Sequence, residues 1–152
     1  MKTILVKTLS LLLISTALFS FAPAPGGEGF EVLVNGKVVL QRFGNDVNKP
    51  HVLRFAAGTE NDEVTIKYYH CGQPGKNRVL TIKDGQDNVL RQISFGNEAN
   101  GKAGMSCKVK DIISLRKGNI TSLRLYYSSD ELPAGKLLVS ILSDNAAPAV
   151  KP

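Results

Sequence analysis

Apolar residues in this chain recur at every second position, the period of a half-buried strand. Across 63–70, Val64, Ile66 and Tyr68 fall on one face and Thr65, Lys67 and Tyr69 on the other. The same alternation marks 78–83 (Leu80 and Ile82), 89–95 (Val89, Ile93 and Phe95), 120–127 (Leu123, Leu125 and Tyr127) and 136–142 (Leu137, Val139 and Ile141). Shorter runs predict strands at 30–34, 37–41, 51–56 and from 107 to 112 or 113. Asn35-Gly36 supplies the two positive-φ positions of a type I′ hairpin turn between β-forming flanks. Gly72-Gln-Pro-Gly75 and Asp84-Gly85 add turns, and 96–104, with three glycines, reads as a loop. A helical turn is expected only at 111–116.

These eight or nine strands predict an all-β fold, an antiparallel β-sandwich of Ig-like or jelly-roll architecture, with a β-barrel as the alternative. The chain has no tryptophan. The Cys…Trp…Cys spacing of true immunoglobulin domains is therefore missing, and "Ig-like" describes architecture only.

The alternation is absent from the start. Residues 1–8 carry Lys2 and Lys7 without an acid, 9–22 are almost wholly apolar, and Ala-Pro-Ala-Pro-Gly-Gly follows. This is the three-part pattern of a cleaved secretory signal, assigned to 1–24, and the apolar run is short for a bilayer span. No cysteine stands near it for lipid attachment. The remainder divides into one domain, 25–143, and a loose Ala/Pro-rich tail, 144–152. Export to the periplasm or the medium is the expected localisation, with no transmembrane segment in the mature form.

Charge then matters less than it first does. The full chain has 19 basic and 13 acidic residues, a net +6. Losing Lys2 and Lys7 leaves 17 against 13, or +4. The bases are scattered instead of striped, which argues against nucleic acid as a partner.

Export also changes how the two cysteines read. In an oxidising compartment Cys71 and Cys107 are expected to form a disulfide, worth about 3–4 kcal/mol in the chain-entropy picture. The competing reading is a soft-metal site of the copper type, drawn from His70, Cys71, Met105 and Cys107. His51, lone and at a strand start, is expected at the surface or rim. Asp84, Asp87, Asp130 and Glu131 are the carboxylates a hydrolase would need, if they share one cleft. Asp84-Gly-Gln-Asp87-Asn88 has oxygen ligands at loop spacing but lacks the closing Glu of a calcium loop, so a hairpin turn is expected there. The glycine-rich loop lacks Walker spacing, and no motif implies a cofactor.

The tyrosine pairs carry the leading functional expectation. Tyr68-Tyr69 and Tyr126-Tyr127 each place one ring inward and one outward. Tyr69 then lies beside Lys67, and Tyr126 beside Arg124, as a platform for a protein or carbohydrate ligand. The expected function is a non-catalytic binding or interaction module, with the carboxylate hydrolase and the copper protein as alternatives. Oligomeric state has no signature in the sequence.

Overall fold

The computed structural model describes residues 27–98, 103–118 and 120–142. The expected signal segment and C-terminal tail lie outside them, as does the middle of the glycine-rich loop. Among the described residues nine strands form in chain order: β1 (Gly29–Val34), β2 (Lys37–Phe43), β3 (Val52–Arg54), β4 (Glu63–Tyr69), β5 (Arg78–Asp84), β6 (Val89–Gly96), β7 (Met105–Lys108), β8 (Ser122–Ser129) and β9 (Leu132–Leu142). One short helix, α1 (Val109–Ile113), follows β7. A four-stranded sheet has the order β2-β1-β4-β7 and a five-stranded sheet the order β3-β9-β8-β5-β6. The fold is mostly β, and its two sheets do not close into a barrel.

Alternation decides which side chains the sheets bury together. Phe30, Val32, Val64, Ile66 and Tyr68 come from the first sheet. Leu80, Ile82, Leu123, Leu125, Tyr127, Val139 and Ile141 come from the second, and all belong to one buried cluster. Burying a large apolar side chain contributes about 1.5–3 kcal/mol, so this shared core is what holds the sheets to one another. The Tyr68 and Tyr127 rings stack across it with centroids 4.3 Å apart and planes 15° from parallel.

Local chemistry explains the edges. Asn35 (φ 48°) and Gly36 (φ 78°) take the left-handed positions expected of the β1–β2 hairpin. The Asn35 side chain also accepts from the Glu63 backbone N–H and donates to Asp62, tying the hairpin tip to the start of β4. After β2 the chain leaves the first sheet through a 3-10 turn at Gly44–Asn48, burying Val47. It then joins the edge of the second.

Several expectations are corrected. β3 runs parallel to β9, so the five-stranded sheet is mixed. The crossover from one sheet to the other delivers β3 in the same direction as β9. His51 is buried rather than exposed: it packs edge-on against Phe30. Its Nε2 lies 2.9 Å from the Asp46 carbonyl, and Nδ1 accepts from Arg42 Nε at 3.1 Å. The segment after Cys107 is strand only as far as Lys108. Val109 and Ile112 are buried at helical spacing in α1, earlier than the helical turn expected at 111–116. Val89 points outward, 55% exposed, because the β5–β6 register shifts between Ile82 and Lys83. A register shift between Leu125 and Tyr126 likewise buries Leu138 alongside Val139.

Candidate functional site

Two polar constellations stand out, one between the sheets and one on the outer face of the second sheet.

The first gathers where β4 and β8 end. Tyr68 donates from its hydroxyl to Glu28. Lys136 Nζ lies 3.0 Å from the same carboxylate. Burial raises the Glu28 carboxyl, but the Tyr68 hydrogen bond and the Lys136 ammonium outweigh it and hold it below the usual carboxylate range. His70 Nε2 lies 2.7 Å from the Tyr127 hydroxyl and 3.3 Å from Ser129 Oγ. Burial keeps His70 below its ordinary pKa, against the pull of Glu131, Glu28 and Glu98. Burial likewise pushes the Tyr68 and Tyr127 phenols up, so both stay neutral. Ser129 and His70 are within the reach of a nucleophile–base pair. Tyr127 holds the same nitrogen more closely, however, and Ser129 is only 5% exposed. The arrangement joins the sheets through satisfied polar groups, which a buried tyrosine hydroxyl requires.

The second constellation surrounds Tyr126. On β5, Thr81 and Lys83 lie on the side of the sheet opposite Leu80 and Ile82, where Thr81 is itself buried and Lys83 is half-buried. The register sets Thr81 opposite Tyr126 on one side and opposite Gln92 on the other. Lys83 Nζ lies 4.5 Å over the Tyr126 ring, a cation–π geometry. Gln92 Nε2 donates to Thr81 Oγ1 at 3.3 Å. Thr81, Lys83, Val89, Gln92, Tyr126 and Ser128 line a cavity of about 220 Å³, closed at one side by Pro133, Ala134 and Gly135 of the β8–β9 hairpin. Arg124 Nη1 donates to Asp87 Oδ1 at 3.0 Å, and the Tyr126 hydroxyl donates to the same oxygen at 3.3 Å. The half-buried Tyr126 ring, with the Lys83 ammonium over it, thus lines a groove together with hydroxyl and amide groups.

The expected tyrosine platform is therefore divided. Tyr126 and Arg124 sit on β8 of the five-stranded sheet, whereas Tyr69 and Lys67 sit on β4 of the other. Tyr69 packs against Phe43 at 5.5 Å and donates to Glu31 at 2.9 Å. Gly29 leaves the room, since a Cβ there would lie 2.0 Å from the Phe43 ring. The partners of Tyr126 on β5 and β6 escaped sequence reasoning. Their outward alternation was legible, but their adjacency to β8 depends on sheet order.

The cysteine expectations fail on register. Cys107 pairs with Val64, and Cys71 lies seven residues further along that line. At about 3.3 Å per residue this separates them by roughly 20 Å, whereas a disulfide needs Cα atoms within about 7 Å. Both thiols are free, Cys71 exposed and Cys107 half-buried. Met105 is fully buried opposite Ile66, well short of His70, so His70, Cys71, Met105 and Cys107 do not converge as a soft-metal site. No metal-like cluster of His, Cys, Asp and Glu occurs among the described residues.

The carboxylates disperse too. Asp84 and Asp87 occupy the β5–β6 turn, while Asp130 and Glu131 occupy the β8–β9 turn at the opposite end of the antiparallel β5–β8 pair. Asp84 accepts from the Gln86 and Asn88 backbone N–H groups and from Asn88 Nδ2, which makes it a turn residue. The Asn88 side-chain bond leads in holding its pKa down. Asp130 accepts from Asn77, and Glu131 from the Lys76 backbone. The single cleft that a paired-carboxylate hydrolase needs is not formed by these four.

No protein-family model matches the chain, and no curated protein sequence matches it.

Proposed function

We propose that this chain is an exported, non-catalytic binding module, a predominantly antiparallel β-sandwich that takes a carbohydrate on the outer face of its five-stranded sheet. The observation that carries the reading is the half-buried Tyr126 ring lining a groove with Lys83, Thr81, Gln92 and Ser128. Sugar rings present C–H faces that stack on an aromatic ring and edge hydroxyls that bond to such side chains. A peptide strand would need a free sheet edge, and Tyr126, Ser128, Thr81 and Lys83 stand on the interior strands β8 and β5, whereas Val89 and Gln92 alone of the lining come from the edge strand β6. Side chains alone do the recognising here, which favours a sugar over an extended peptide.

Export to the periplasm or the medium is supported by Lys2 and Lys7, the apolar run and the small-residue segment at the start of the sequence. No helix among the described residues is long and apolar enough to cross a membrane.

Binding to an immobilised panel of neutral and acidic polysaccharides tests the reading. Tyr126→Ala is expected to weaken retention at least tenfold, about 1.4 kcal/mol. Tyr69→Ala, on the other sheet, is expected to leave it unchanged. Equal losses in both variants, or no retention by the parent protein, would overturn the proposal.

A further inference from the structure

Resting on that carbohydrate reading and narrowing it, we propose that the Tyr126 groove selects an acidic sugar, with the uronate carboxylate set against Lys83 while the pyranose ring stacks on Tyr126. Among the described residues lining the groove, Lys83 is the one charged group, and the Asp87 carboxylate beside the Tyr126 hydroxyl is paired with Arg124. The neighbouring cation, Arg124, is already engaged by Asp87, and Asp84 spends its carboxylate within its own turn. Lys83 has no ion-pair partner among the described residues, and its ammonium, 4.5 Å from the centroid of the Tyr126 ring, is carried on a flexible stem that must swing to the ring edge to admit the sugar. A carboxylate arriving there gains a charge-assisted hydrogen bond without displacing an existing ion pair. The cavity volume of about 220 Å³ suits one sugar residue at a time, so a longer glycan would lie across the sheet with a single uronate in the groove. Ser128 lies two residues along β8 from Tyr126 and Gln92 lies across Thr81 on β6, and both line the groove with polar groups for the ring hydroxyls.

Titration calorimetry with oligogalacturonate and alginate oligomers, each against its methyl ester, provides the test. The ester keeps the ring and removes the charge. The parent protein is expected to bind at least one acidic oligomer about fivefold or more tightly than its ester, the range of a partly exposed ion pair of about 1 kcal/mol. The preference should shrink as salt is raised. Lys83→Gln is expected to abolish the preference while keeping ester binding, whereas Tyr126→Ala should weaken both forms. Equal binding of acid and ester, lost in Tyr126→Ala, would overturn the acidic selection and leave the carbohydrate reading standing. A preference that persists in Lys83→Gln would overturn the role of Lys83. Binding of neither form would overturn the acidic selection, and retention on a neutral polysaccharide that is lost in Tyr126→Ala would leave the carbohydrate reading standing.

Discussion

His70 is kept neutral by burial, and that makes the protein acid-sensitive at the level of one side chain. Its folded pKa lies below the ordinary 6.5, so below about pH 6.5 the unfolded chain binds a proton that the folded chain resists. Stability therefore falls as pH drops from 6.5 toward the folded value. Glu28 and Asp84, both held below their usual range, add further loss in stronger acid, once protonation removes the interactions they make as carboxylates. The thermal midpoint of the parent protein is expected to fall between pH 7 and pH 5. His70→Gln should flatten that step while retaining the loss below about pH 4.5, the ordinary value for Glu28. An unaltered step in His70→Gln would place the titrating group elsewhere. The inward direction of Tyr68 and Tyr127 was legible from alternation. The contact of His70 with Tyr127 was not, because it depends on which strand of one sheet faces which strand of the other.

At the scale of elements, the strongest local signal matched the structure most closely. Asn35-Gly36 adopts its hairpin turn, and Gly36 at φ 78° has open space where a Cβ would go. Gly36→Ala is therefore expected to cost about 1–2 kcal/mol through backbone strain alone. Gly36→Asn should cost less, since Asn tolerates the left-handed region. Urea midpoints at constant slope would check both. The places where alternation misled are register shifts. Val89 sits beside an extra residue, Leu90, and Leu138 is itself an extra residue, and each insertion reverses which face comes next. Val109 and Ile112 in sequence alone suit a strand, because two apolar residues three apart fit a short strand nearly as well as a helical turn. Packing against the core decides for the helix. The parallel β3–β9 pair left no trace in either sequence, since three residues cannot encode the direction of a distant partner.

Across the whole molecule, the separation of Cys71 from Cys107 makes the sheet arrangement measurable in solution. Cys71 is exposed, whereas burial raises Cys107 to about 11. The thiolate is the reactive species. One equivalent of a thiol reagent should react rapidly with the native protein at pH 8 and the second only slowly, with both reacting at once in denaturant. Fast reaction of neither thiol without reductant would contradict the arrangement. The groove was half legible on this scale: Tyr126 and Arg124 were selected from their own strand, while Lys83, Thr81 and Gln92 reach the site only through sheet order. Sheet order also governs how the chain can assemble. Every strand of the four-stranded sheet lies between Gly29 and Lys108. In the other sheet β9 is interior, and Val52 of β3 waits for Ser140. As the polypeptide is delivered from its N-terminal side, the first sheet can pair while its inner face still lacks a cover. Folding should then be slow and late-closing, with a transient exposed apolar surface that invites aggregation or a chaperone until residues 132–142 arrive.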